Sequence, residues 1–102
     1  MLYPEQLLTR RTMHWAARLK VNPSRVVIRE LPTKWGSCSP DGVVTFAADL
    51  AAAEQDFQDY VIVHELLHLR YQSHGRRFKA VMTAVVPRWR EFEARTQAGG
   101  QP

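Results

Sequence analysis

The sequence predicts an α+β fold in which one helix precedes a small antiparallel sheet of about three strands and further helices follow it. Apolar side chains recur at helical spacing over the first twenty residues. Residues 25–47 contain β-branched segments separated by turn signals, and helical spacing returns after residue 60. With 102 residues, no internal repeat and no linker, the chain is expected to form one domain over residues 1–102, with a disordered tail from about residue 97.

The first predicted helix runs from Pro4 to Lys20. Leu8, Trp15 and Leu19 follow helical spacing, and the proline suits a first turn. Four basic side chains on the other side are interpreted as a solvated helix face: Arg10, Arg11, Arg18 and Lys20.

Three strand segments are predicted next. Residues 25–31 are β-branched and bounded by prolines, residues 33–38 form a second strand or a bulged extension, and residues 43–47 form the returning strand. The turn before the last strand contains Asp41 and Gly42, a pair that supplies the positive φ of a hairpin. An alanine-rich stretch then leads to the next helix, for which the candidate N-caps are Asp56 and Asp59.

The segment from Tyr60 to His74 contains the pattern H-E-x-x-H followed by a further histidine. Residues four apart on a helix project from nearly the same side, about 6 Å apart along the axis, so His64 and His68 can bind one ion. Glu65 flanks that ion without binding it, which suits a base acting on a metal-bound water. Because apolar residues surround the motif, the helix is predicted to be buried, and its polar side chains need partners.

His74 is the predicted third ligand. A helix that continued would rotate this residue away by roughly two-thirds of a turn, so the helix must end or bend between Arg70 and Ser73. Three imidazoles with one open position are typical of a catalytic zinc site and predict one Zn²⁺ per chain. Glu91 and Glu93 are alternative third ligands, and two buried histidines bonded to the backbone are the alternative to any metal site.

A third helix is predicted over residues 75–86. Pro87 either kinks it or begins a short helix through Trp89 and Phe92. The side chains expected to face inward are Phe78, Val81, Met82 and Val85.

Composition limits the setting and the partners. Lys and Arg number 14 against 10 Asp and Glu, which gives a net charge of +4 and modestly favours acidic partners. The single cysteine, Cys38, excludes an internal disulfide and favours a reducing, cytoplasmic location. No signal peptide and no membrane-spanning segment is predicted.

Three segments together resemble the YgjP-like metallopeptidase family: Lys34 to Ser39, Asp59 to Leu69, and His74 to Phe78. The resemblance implies a zincin-like fold, a peptide or protein substrate, His64, His68 and His74 as metal ligands, and Glu65 as catalytic acid and base. The last segment is also similar to SprT-like proteases, which act on proteins bound to DNA. The family's asparagine-containing segment after the returning strand is replaced here by residues 46–50, so substrate contacts there are open.

The function predicted from these observations is a zinc-dependent metallopeptidase. One alternative is a DNA-associated protease or accessory module that binds nucleic acid through a basic surface. That surface would comprise Arg70, Arg76, Arg77, Lys79, Arg88 and Arg90. A further alternative is a metal-binding protein without significant catalysis, against which the intact Glu65 argues. The oligomeric state is left open.

Several roles remain alternatives from the sequence alone. Tyr71 or Arg76 could donate a second hydrogen bond to the oxyanion. Alternatively, Tyr71 packs in the core and Arg76 remains solvated. Cys38 is either a small buried hydrophobe or a latent metal ligand, and the structural interpretation is favoured. Gly36 would permit either a bulge or close approach of the metal helix. The strand over residues 43–47 is either an edge strand that pairs with an extended substrate or an interior strand.

Overall fold

The structure, a computed structural model, describes residues 1–99 and the side chains of residues 1–96. The helices are α1 (Pro4–Leu19), α2 (Gln55–Leu67), α3 (Arg76–Val85) and α4 (Trp89–Gly99), and the strands are β1 (Arg25–Arg29), β2 (Gly36–Cys38) and β3 (Val43–Ala47). A short 3₁₀ helix, Ala48–Ala52, joins β3 to α2. The predicted α+β class and order of elements are confirmed. The helix α4 includes residues 97–99 of the predicted tail, and residues 100–102 lie outside the described part.

Helix α1 packs through the face that the sequence predicts. Leu8, Trp15 and Ala16 are buried, and the chain leaves the helix through Lys20 in the left-handed conformation, with φ of 57°. At the other end the Gln6 side chain accepts a hydrogen bond of 2.9 Å from the Tyr3 backbone N–H. Both ends therefore satisfy backbone groups that a helix terminus leaves free.

The sheet has the order β1-β3-β2, with β3 in the centre. The β2–β3 pair is the predicted antiparallel hairpin, with Gly42 at φ of 89°, but β1 pairs with β3 in parallel. The segment between β1 and β2 crosses the position that β3 occupies in the sheet. It contains Pro32, which has no backbone N–H and cannot donate a hydrogen bond to a neighbouring strand. The edge-strand interpretation of residues 43–47 is therefore wrong. Four of the five residues of β3 are buried, as expected for an interior strand.

Helix α2 is the central element of the core. Six of its residues are no more than 2% exposed: Tyr60, Val61, Ile62, Val63, Leu66 and Leu67. The predicted N-caps are wrong, because the residue before the helix is Glu54. Asp59 instead accepts hydrogen bonds of 2.8 Å from the Arg11 guanidinium and from the Trp15 ring N–H. This carboxylate therefore ties α1 to α2.

Helices α3 and α4 close the other side of α2. Phe78 and Met82 are buried and Val81 and Val85 are partly buried against the core, so the predicted inward face is confirmed. Helix α3 ends at Val85, before Pro87, and α4 begins two residues after the proline, at Trp89. None of the described helices is both long and apolar enough to cross a membrane.

Candidate metal centre

The end of α2 determines where the histidines lie. The helix ends at Leu67, earlier than the sequence predicts, and His68 is its C-cap. The N–H groups of Leu69 and Arg70 then bond to carbonyls three residues back, at 3.0 Å, and Tyr71 bonds to the Leu67 carbonyl at 2.8 Å. These bonds tighten the last turn, as is common at helix ends. The chain is then free to reverse before α3.

The reversal brings together His64, His68 and His74. One ring nitrogen from each lies within 4.8 Å of those of the other two, and the Nε2 atoms of His68 and His74 are 3.0 Å apart. The ring centroids of His64 and His68 are 5.0 Å apart, and those of His64 and His74 are 4.8 Å apart. Three imidazoles with converging nitrogens can hold a metal ion.

Neighbouring groups orient the rings. The Nδ1 of His68 lies 3.1 Å from the Tyr71 carbonyl oxygen, to which it donates, leaving Nε2 for a metal. The ring of buried Phe78 packs against all three imidazoles, with centroid distances from 4.8 to 5.4 Å. Sequence reasoning assigned Phe78 to the core alone. Phe78 lies four residues after His74 and is the third residue of α3, so its contact with the site depends on how α3 packs against α2.

Glu65 lies beside this group and is 3% exposed. One of its carboxylate oxygens is 3.2 Å from Nδ1 of His64. The space next to it is maintained by Gly36, since a Cβ there would lie 3.0 Å from Cγ of Glu65 and 3.1 Å from the Thr45 carbonyl oxygen. The close approach predicted for this glycine is confirmed, and it lets β2 lie directly against α2.

The histidines and Glu65 border an open cleft of about 860 Å³. One wall comes from the segment around β2, and the other comes from the end of α2 and the residues that follow it. The lining residues on the first wall are Thr33, Lys34, Gly36, Cys38, Ser39 and Pro40, and those after α2 are Leu69, Arg70, Gln72, Ser73 and His74. Neither Tyr71 nor Arg76, the predicted oxyanion donors, lines the cleft. Tyr71 packs in part against the core, and Arg76 is exposed at the start of α3. Sequence reasoning did not assign Lys34 to the site, although it precedes the strand next to Glu65.

The alternative ligands do not join the histidine group. Among the described residues, neither Cys38 nor a carboxylate belongs to this triad. Glu91 is engaged by Arg88. Cys38 lines the cleft, but burial, with help from the carboxylates of Glu65 and Asp41, raises the pKa of its thiol and favours the neutral form.

Electrostatics favour the neutral imidazole that metal binding requires. Burial, followed by the proximity of His64 and His68, lowers the pKa of His74. The carboxylates of Glu93 and Glu65 act in the opposite direction and are weaker. A neutral ring keeps a lone pair available at lower pH.

Two solved structures have a fold similar to that of this chain. Jannalysin, a metallopeptidase zymogen of Methanocaldococcus jannaschii, has a similar structure with a TM-score of 0.75, 19% identity, and coverage of 86% of this chain and 91% of its own. Abylysin, a metallopeptidase zymogen of Pyrococcus abyssi, gives a TM-score of 0.72, 26% identity, and coverage of 94% and 93%. No curated protein matches the sequence.

The model of the YgjP-like metallopeptidase domain matches residues 4–98. This match spans α1, the whole sheet and the histidine group, and a metallopeptidase family implies a catalytic metal. The chain is therefore an enzyme that belongs to the YgjP-like metallopeptidase family.

Proposed function

We propose that this protein is a zinc-dependent peptidase in which His64, His68 and His74 bind the metal and Glu65 is the general base and acid. The observation that carries the proposal is the convergence of three imidazole nitrogens within 4.8 Å, next to a buried carboxylate at an open cleft. Each group has a distinct role in peptide hydrolysis.

The donor set suits zinc. Three neutral nitrogen ligands with one remaining position describe catalytic zinc sites, whereas magnesium and calcium prefer oxygen ligands. When bound, zinc would acidify the attacking water and polarise the carbonyl of the scissile bond.

Glu65 handles the proton. Its carboxylate accepts the proton of the attacking water and then transfers it to the leaving nitrogen, so one side chain acts as base and then as acid. Its burial excludes competing water from one side, and Gly36 leaves it room to lie between α2 and β2. Both features keep the carboxylate in reach of the bond to be cleaved.

The edge of β2 is the candidate substrate-binding strand. This strand pairs with β3 on one side, and its residues Gly36 and Cys38 line the cleft on the other. An extended peptide can add to such an edge through main-chain hydrogen bonds. Binding of this kind tolerates many substrate sequences, and it replaces the role that sequence reasoning gave to β3.

The test is metal content together with proteolysis. Wild type purified without added metal is expected to contain about one zinc per chain and to cleave unstructured casein. His74→Ala should lose most of the zinc, whereas Glu65→Gln should keep it and lose casein cleavage by about 10³-fold. Circular dichroism should show that both variants fold.

Two results would reject the proposal. One is a wild type that binds no zinc even when zinc is supplied. The other is a Glu65→Gln protein that cleaves casein at the wild-type rate.

A further inference from the structure

We infer that the cleft selects peptides that carry a carboxylate close to the scissile bond. The inference rests on the proposed peptidase function and adds the class of substrate. It starts from the charges that line the cleft. Apart from Glu65, the charged side chains in the lining are Lys34 and Arg70, both cations.

These two cations come from opposite walls. Lys34 immediately precedes the β2 strand, and Arg70 follows the end of α2. Both are exposed, and among the described side chains neither forms an ion pair. A peptide lying between the walls would therefore contact positive charge from two directions.

Arg70 is held in place rather than left to move freely in solvent. Its Nη2 donates a hydrogen bond of 2.8 Å to the Lys20 carbonyl oxygen, which is a neutral acceptor. That bond uses one of the five N–H donors of a guanidinium, so the group keeps its full charge and several donors. A positioned guanidinium can bind both oxygens of a carboxylate.

Three further carboxylates are gathered at the other end of α2, whereas those of Asp41 and Glu93 are close enough to act on the pKa values of Cys38 and His74. The ion pairs of Arg88 and Arg95 with acidic groups involve Glu54, Asp56 and Glu91, all near the start of α2 or of α4. The helix of 13 residues separates that end from the cleft by about 20 Å. At this distance salt screens the acidic groups from the cleft.

The first turn of α3 extends the positive charge beyond His74. It contains Arg76 and Arg77 and no acidic residue. Cations at the start of a helix oppose the helix dipole, which favours carboxylates there. These two arginines therefore do not stabilise the start of α3. Their charge fits a surface beside the cleft that attracts anionic substrates.

The carboxylate can be an Asp or Glu side chain or the C-terminus of a peptide. Three kinds of fluorogenic decapeptide with an otherwise identical neutral sequence separate these sources. One carries a single internal Glu and an amidated C-terminus, one carries Gln at that position and an amidated C-terminus, and one carries Gln and a free C-terminus. The internal position is scanned from three residues before to three residues after the cleavage site.

For wild type we expect kcat/KM about tenfold higher for a Glu peptide than for its Gln partner in at least one position, falling toward equality at 0.5 M salt. A preference confined to the free C-terminus over the amide would assign the carboxylate to the chain end. Lys34→Gln combined with Arg70→Gln should reduce either preference to about twofold. Arg70→Lys, which keeps the charge but loses the paired donors, should retain part of it.

The matched control is Arg29→Gln. Arg29 is an exposed cation at the end of β1, the strand on the far edge of the sheet from β2. Arg29→Gln should leave the carboxylate preference unchanged, although it lowers the net charge by as much as each of the two cleft substitutions does. Thermal unfolding verifies that each variant folds.

Binding separates this inference from the proposed function. Zinc-loaded Glu65→Gln should bind the Glu peptide about tenfold more tightly than the Gln peptide, whether or not any peptide is cleaved. Cleavage of casein without a preference for any carboxylate would overturn the inference and leave the peptidase function standing. Random duplex DNA that binds this protein more tightly than the Glu peptide, through Lys34 and Arg70, would overturn it in favour of nucleic acid.

Discussion

Helix α2 is surrounded by packed side chains through its middle and borders an open cleft at its end. In the middle, Tyr60 to Val63 are no more than 1% exposed, and Asp59 bonds to two groups of α1. At the end, His64 and His68 are only partly buried and His74 is exposed. The anchored middle therefore sets the direction of the helix, while the open end presents histidines that packing does not enclose.

The difference also concerns how polar groups are satisfied. Asp59 and Gln58 have protein partners: Gln58 Nε2 donates to the carbonyls of Leu50, Ala51 and Ala53. The ring nitrogens at the cleft face one another, and Nε2 of His68 and of His74 approach to 3.0 Å. Two such nitrogens gain little from each other, and a shared metal ion would satisfy both. Substitutions in the middle of α2 should therefore affect stability, and substitutions at its cleft end should affect activity.

The largest expected effect tests the cleft end. Gly36→Ala places a Cβ 3.0 Å from Cγ of Glu65, so the carboxylate or the strand must move. We expect kcat/KM for casein to fall about 100-fold and stability to fall by about 1–3 kcal/mol, with zinc content retained. Ser37→Ala, in the same strand, is the control. Wild-type activity in Gly36→Ala would show that Glu65 tolerates displacement.

The second largest effect is expected in the anchored middle of α2. Asp59→Ala removes the acceptor of both the Arg11 and the Trp15 hydrogen bonds and leaves a largely buried ring N–H unpaired. Urea unfolding should show a loss of about 2 kcal/mol, with zinc content and activity within twofold of wild type. Asp56→Ala, an exposed carboxylate on the same helix, should change stability by less than about 0.5 kcal/mol. A strong loss of activity in folded Asp59→Ala would mean that the middle and the cleft end are coupled.

A smaller effect is expected at Tyr60, which lies in the core beside His64. The Tyr60 hydroxyl is buried and has no hydrogen-bond partner among the described residues, and burial raises its pKa to about 12. Tyr60→Phe should therefore leave stability unchanged or raise it by up to about 1 kcal/mol in urea unfolding. A clear loss of stability would instead indicate that the hydroxyl bonds to neighbouring Thr96.

The smallest effect is a pH dependence of the metal-free protein. The pKa of His74 is lowered in the folded state, so the unfolded chain binds the proton more tightly. Stability is then fully present above the ordinary pKa of 6.5 and is lost as the pH falls through the lowered value. The Tm should fall slightly more between pH 7 and pH 5 in wild type than in His74→Asn. Equal decreases would contradict the assigned direction.

Local signals in the sequence were sufficient for most elements. Helical spacing predicted α1 through Leu8, Trp15 and Leu19, and the Asp-Gly turn predicted the hairpin at Gly42. The spacing of His64 and His68 predicted that both project toward one side of α2, and their rings are 5.0 Å apart. Each of these depends on residues a few positions apart, which helix and turn geometry relate directly.

Features that depend on distant residues were missed or left open. The caps predicted for α2 failed because Asp59 bonds to α1, more than forty residues earlier in the chain. The parallel pairing of β1 with β3 depends on which strand fills the centre of the sheet, and strand propensity carries no information about that. Lys34 and Phe78 were not assigned to the site because their positions depend on how β2 and α3 pack against α2.

The sequence by itself determined most of the elements, the burial of α2 and the projection of His64 and His68 to one side of it, because side-chain spacing on a helix or strand follows from local backbone geometry. Only the tertiary structure decided that His74 returns to the other two histidines, that β2 rather than β3 borders the cleft, and that Lys34 and Arg70 both line it. The reason is physical: these proximities arise from packing between segments whose separation along the chain leaves no periodic signal.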